Sequence, residues 1–324
     1  AETTANYAVE TLAPTISSVT AGWGTSLNAT EDNSAGTVTV VTSGAENGQT
    51  VTVSLNGTNY TGTVSDNSTS VTVAATGLQA LTDGSSYTLT TNVSDAAGNA
   101  ATENTGTSFT YDITAPTISD SVAISSASGV QNSLLNAGDN VSVTATFSES
   151  VIVDNASGTP TLTLVVGSTD RTATYASGSG STPLVFQYTI QAGETDSDGI
   201  SIGASTLALN SGTIRDAAGN NATLTHSAVS ANTSYKVDTT APTLTETTAV
   251  STLTNDNSTQ YTFSSSEGGT ISVGGSCSSD NDTAVADNMT VSFAALADGT
   301  YSDCTITVTD SAGNTQTISV NSFT

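Results

Sequence analysis

Two short phrases recur in step along this chain, and together they constrain its fold more than any single residue does. The first reads Glu10-Thr11-Leu12-Ala13-Pro14-Thr15, then Asp112-Ile113-Thr114-Ala115-Pro116-Thr117, then Asp238-Thr239-Thr240-Ala241-Pro242-Thr243. Each copy follows strand-like residues (Asn6–Val9, Ser108–Tyr111, Ser234–Val237) and precedes more of them. Proline lacks an N–H and fixes φ, so it ends one ladder and stiffens the link to the next. The second phrase reads Asp95-Ala96-Ala97-Gly98-Asn99, Asp216-Ala217-Ala218-Gly219-Asn220 and Asp310-Ser311-Ala312-Gly313-Asn314. Its Gly-Asn pair suits a tight turn with positive φ. Clear strands precede it at Tyr87–Val93 and Cys304–Val308. The first phrase therefore reads as a joint between domains, and the second as the turn of a domain's final hairpin.

Between the phrases lie short alternating runs: Thr37–Thr42, Thr50–Leu55, Asn59–Val64 and Ser70–Ala74, then Val141–Phe147, Thr161–Val166, Arg171–Tyr175, Leu184–Ile190 and Ile200–Ile202, then Gln260–Ser264, Thr270–Val273 and Met289–Phe293. Such runs, punctuated by Gly, Asn and Ser, mark β-sandwiches. Good helix formers are scarce and no 3.6-residue apolar period is sustained. The fold expected is all-β, a linear array of tandem immunoglobulin-like sandwiches. Residues 1–13 are the terminal strand and joint of a preceding domain or a free N-terminal strand, and residues 14–115, 116–241 and 242–324 are three domains. With aromatic residues at 5% of the chain, the cores must rest on Val, Ile and Leu.

Three Lys and Arg stand against 29 Asp and Glu, for a net charge of −26. Phosphate backbones need clustered cations, and Arg171, Arg215 and Lys236 are scattered, so nucleic acid is excluded as a partner. Anionic membrane surfaces are disfavoured for the same reason, and no apolar run reaches a membrane span, so direct membrane insertion is not expected. The acid excess fits solubility in a salty medium or uptake of divalent cations. Cys277 and Cys304 lack the CxxC pair or nearby histidines of a metal site. They read as a disulfide worth roughly 3.5 kcal/mol by loop closure, in an oxidising, extracytoplasmic setting. No signal-peptide pattern opens the sequence, as expected of a mature form or an excised fragment.

The joint and turn phrases resemble the bacterial immunoglobulin-like repeats of giant adhesins, including repeats-in-toxin adhesins, and of related surface proteins. The resemblance covers essentially the whole chain. It extends to Leu135-Asn136-Ala137-Gly138-Asp139-Asn140, Thr146-Phe147-Ser148-Glu149 and Asp196-Ser197-Asp198-Gly199-Ile200, with a different subtype at Tyr261–Ser265. It implies an extender on the bacterial cell surface, a rod of domains that holds an adhesive part away from the cell, stiffened by calcium at the joints. Carried over, the candidate calcium ligands are the joint acids Glu10, Asp112 and Asp238 and the turn acids Asp95, Asp216 and Asp310. Joint acid and turn acid are expected together at the C-terminal pole of a domain, where calcium takes its six to eight oxygens. The plainer reading is that each turn aspartate bonds its own turn backbone.

Other features point elsewhere or nowhere. His226 reads as a surface strand residue rather than a catalytic base, and no loops long enough to build a cleft suggest an enzyme. Asp196-Ser197-Asp198-Gly199 lacks the terminal Glu of a calcium loop and reads as a polar turn. Trp23 serves either a carbohydrate-binding platform or a partly buried core near a domain pole. The N-terminal segment around Tyr7 and Val9 would, in a self-assembling filament, add as a strand to the next copy. The partners expected are neighbouring domains of the same array or copies of the chain itself.

Overall fold

A computed structural model describes residues 9–324, with the side chains of residues 120 and 121 left aside. The protein is all-β: among the described residues the helical segments are one four-residue turn, Ala75–Leu78, and one 3-10 turn, Glu31–Asn33. No helix among them is long and apolar enough to cross a membrane. The chain divides into two compact units, one of residues up to Thr117 with Glu149–Val153 and Thr213–Thr223, the other of the remainder.

In the first unit, Thr15–Ala21, Gly36–Ser43 and Ser68–Val73 form one antiparallel sheet. Thr58–Thr63, Thr50–Leu55, Thr90–Val93 and Asn104–Thr105 form another in that order. Period-2 alternation turns Val38, Val40, Val51, Val53, Val71 and Val73 into a shared core, all fully buried. A short third sheet runs Ser26–Leu27 parallel to Phe109–Tyr111, which pairs antiparallel with Ser85–Tyr87. Tyr87–Val93 is thus not one strand: the chain leaves one sheet after Tyr87 and joins another at Thr90. Trp23 is buried, edge-to-face with Phe109 at 5.3 Å, as expected of a core residue rather than an exposed platform.

The second unit holds two sets of sheets. The first is ordered Ile118–Ser128, Asn140–Asp154, Ser181–Thr189, Thr169–Ser177, Thr161–Val166, Leu207–Ala208, with a small sheet of Leu134–Leu135, Lys236–Asp238 and Thr195–Asp196. Ile200–Ile202 makes only isolated bridges, to Val165 and Val229, rather than a strand. His226 is buried off any strand: its Nε2 accepts from the Thr206 N–H at 2.9 Å and its Nδ1 lies 2.9 Å from the Ser227 carbonyl. This satisfied core histidine corrects the surface reading. Asp196 is a buried turn-former, its carboxylate accepting from the N–H groups of Gly167 and Gly199. The second set pairs Leu244–Thr248, Gln260–Ser265 and Asp287–Ser292 across a core from Thr283–Ala284, Gly269–Gly274, Thr305–Thr309 and Thr315–Ser319. There Cys277 and Cys304 form the disulfide, with Cα atoms 5.3 Å apart.

Candidate metal centre

The three Asp-to-Asn turns are built alike. Glycine at φ +92°, +98° and +92° (Gly98, Gly219, Gly313) folds each back on itself, a conformation other residues reach only under strain. The turn aspartate then accepts from its own backbone. Asp216 takes the N–H of Gly219 at 2.6 Å and of Asn220 at 2.8 Å, Asp310 takes those of Ala312 and Asn314, and Asp95 takes that of Asn99. The Asn side-chain amide reaches the other carboxylate oxygen at 2.8, 2.8 and 2.9 Å. All three aspartates are buried. For Asp95, the Asn99 amide and the turn N–H groups hold the carboxyl below its ordinary range.

The second amide hydrogen of each Asn leaves the turn for a joint. Asn220 donates to the Asp112 carbonyl and Asn314 to the Asp238 carbonyl, both at 2.9 Å, and Asn99 to the Glu10 carbonyl at 3.3 Å. Each turn acid is therefore matched with the joint that precedes its own strands, 72 to 104 residues upstream, not with the joint that follows. The expectation of a shared C-terminal pole is corrected by antiparallel geometry. The chain runs back along a further strand, such as Phe109–Tyr111, before the next joint, so turn and following joint lie a strand length apart.

Two joints gather a third acid. Carboxylate oxygens of Asp112, Glu149 and Asp216 lie within 4.8 Å of one another, as do those of Asp238, Glu267 and Asp310. In each set the turn aspartate is buried and the other two acids half-buried. Burial, then Asp216 and Asp83, push the Asp112 carboxyl up against the opposing Thr114 N–H. Burial, then Asp216, Asp112 and Asp83, do the same to Glu149. Glu267 is raised by burial, then by Asp310 and Asp238. The one salt bridge among the described residues, Arg171–Glu194, belongs to neither set. Three like charges held this close without a cation are mutually destabilising, and an all-oxygen donor set of carboxylates fits a hard divalent cation such as calcium.

Glu149 and Glu267 were not among the acids singled out from the sequence. The signal was there: both follow a Thr-Phe-Ser phrase, Glu149 directly, within the strand Asn140–Asp154, as Thr146-Phe147-Ser148-Glu149, and Glu267 just past the strand Gln260–Ser265, as Thr262-Phe263-Ser264-Ser265-Ser266-Glu267. At the first joint the counterpart Glu46 instead accepts the Ala96 N–H at 2.9 Å, and Glu10 joins no such group among the described residues. Val9 is exposed and in no strand; Tyr7 lies outside the described residues.

No family model matches the chain, and no curated protein does. Solved structures do. A Ca2+-stabilised adhesin that helps an Antarctic bacterium reach out and bind ice is 25% identical over 95% of this chain and 73% of that one, at a TM-score of 0.40. A 1.5-MDa bacterial ice-binding adhesin is 21% identical over 93% of each chain, at 0.38. A tetra-tandem repeat from the extending region of a large adhesion protein is 18% identical over 94% and 74%, at 0.23. TM-scores below 0.5 carry no assignment for this chain.

Proposed function

We propose that this chain is an extender segment of a bacterial surface adhesin, a series of immunoglobulin-like sandwiches with a structural rather than enzymatic role, whose joints are stiffened by calcium. The observation that carries the proposal is the pair of carboxylate triads, Asp112–Glu149–Asp216 and Asp238–Glu267–Asp310, each joining a Pro-containing joint to a turn. A joint acid moves with the linker and a turn acid with the sandwich. A cation bound by both fixes the one to the other and relieves the repulsion among the three acids.

The test is small-angle X-ray scattering of the chain in calcium and in chelator, over a range of protein concentrations. A longer and stiffer particle in calcium at every concentration is the expected result. The double variant Asp112→Ala, Asp238→Ala should lose the response while each sandwich keeps its circular dichroism. A variant that responds like the parent would show that these triads are not the calcium sites.

A further inference from the structure

The turns that carry the triads have a second side. Beside the joint, Asn28 Nδ2 donates to the Ala218 carbonyl at 2.9 Å, and the Ala29 N–H donates to Asn220 Oδ1 at 3.0 Å. The next turn repeats the arrangement: Asn136 Nδ2 donates to the Ala312 carbonyl at 2.9 Å, joined by Asn132 Nδ2 on the Ser311 carbonyl at 2.9 Å. Asn28 and Asn136 occupy the same text, Leu27-Asn28-Ala29 and Leu135-Asn136-Ala137. Each follows a two-residue strand, Ser26–Leu27 or Leu134–Leu135, that runs parallel to the strand entering the joint. The phrase therefore ends beside the joint, facing the turn.

The turn glycine is shaped for this neighbour. A Cβ on Gly219 would lie 3.1 Å from Asn28 Nδ2, and one on Gly313 would lie 3.2 Å from Asn136 Nδ2 and 2.4 Å from Gln131 Nε2. A Cβ on Gly98, which has almost the same φ, would meet nothing within 4 Å. Asn220 is saturated by the arrangement, its two amide hydrogens on Asp112 and Asp216 and its oxygen on Ala29, which uses most of what a side-chain amide offers.

We propose that the Leu-Asn-Ala phrase and the Asp-to-Asn turn form a cation-independent latch, in which Asn28 and Asn136 are positioning residues that recognise the turn backbone. Every bond in the latch is made by an amide or a backbone group, so it holds at any calcium concentration. It sets the joint's alignment, and the neighbouring triad adds stiffness to a joint already aligned. The partner this turn surface fits is a sandwich end bearing Asn after a short parallel strand.

The latch is tested in chelator, so its outcome is independent of whether the joints bind calcium. The reporter is hydrogen exchange of the Ala29 amide in the full chain, read by NMR and corrected for intrinsic rates. Asn28→Asp removes the amide donor but keeps Oδ1, which accepts from the Thr30 and Glu31 N–H groups at 2.9 and 3.0 Å; those two amides are the folding control. With one hydrogen bond lost, Ala29 should exchange about three- to tenfold faster. Gly219→Ala, which crowds the Asn28 amide, should do the same. Gly98→Ala carries the same backbone strain without the contact and should leave Ala29 unchanged. Unaltered Ala29 exchange in both Asn28→Asp and Gly219→Ala, or equal acceleration in Gly98→Ala, overturns the latch.

Discussion

Asp32 is a buried carboxylate whose side chain takes the Tyr111 hydroxyl at 2.7 Å. Burial first, and Asp32 second, push the Tyr111 hydroxyl up to about 12 from its ordinary 10. Because the folded pKa is the higher one, the neutral phenol is the form the fold favours. Its contribution to stability is complete below pH 10 and is lost as the pH rises through 12. Tyr111→Phe leaves Asp32 buried without its donor and should cost about 1–3 kcal/mol in urea unfolding at neutral pH. It should also remove part of the stability loss between pH 10 and 12, the rest belonging to groups such as Tyr188, likewise raised to about 12. At this scale sequence reading named Asp112, Asp216, Asp238 and Asp310, which fall in the triads, and Glu10 and Asp95, which join neither, but not Glu149 or Glu267. An acid within or just past a strand looks like any surface residue until the fold brings a turn to it. If the triads bind calcium as proposed, calorimetric titration of Glu149→Gln should find one of the two sites weakened, with the other intact.

Strands with clean alternation were legible, and Thr50–Leu55 and Thr161–Val166 fall where the sequence puts them. Tyr87–Val93 was not, because inward and outward residues keep alternating through Thr88 and Leu89 while the backbone changes sheets. Period-2 patterning reports the face of a strand and is blind to its partner. Gly36 gives an element-level test of packing. A Cβ there would lie 2.5 Å from Trp23 Cζ3 and 3.2 Å from Leu78 Cδ1, and the indole is held from another side by Phe109. Because the added methyl must displace the ring from its contact with Phe109, Gly36→Ala should cost about 1–3 kcal/mol, read from the emission of the lone tryptophan in urea. The disulfide is a separate device, confined to the sheets of residues 244–319 that follow the last joint. Replacing Cys277 and Cys304 by Ala should lower stability by roughly 3.5 kcal/mol in the loop-closure account, and the loss should appear in the unfolding of those strands alone.

At the scale of the whole molecule, a net charge of −26 sets two effects against each other that a single calcium titration would confuse. Any salt screens the mutual repulsion of dispersed acids, over a distance that shrinks as ionic strength rises. A site-bound ion acts instead by mass action, stabilising the folded state by about 2.7 kcal/mol per site at a hundredfold excess over its dissociation constant. The proposed function places that second effect at the two triads, and their pairing was the part of the site least legible in sequence. Asp112 meets Asp216 and Asp238 meets Asp310 across spans that no local pattern encodes, whereas the repeated phrases themselves were plain. The comparison that separates the effects is thermal unfolding in millimolar calcium against sodium chloride of equal ionic strength, both after chelation. Calcium should raise the midpoint beyond sodium in the parent chain. In Glu149→Gln, Glu267→Gln that excess should shrink, because each triad has lost a charge and keeps only a neutral amide oxygen, while the response to sodium persists, because the other acids are untouched. Equal midpoints in the two salts for the parent chain would reduce calcium to a screening ion.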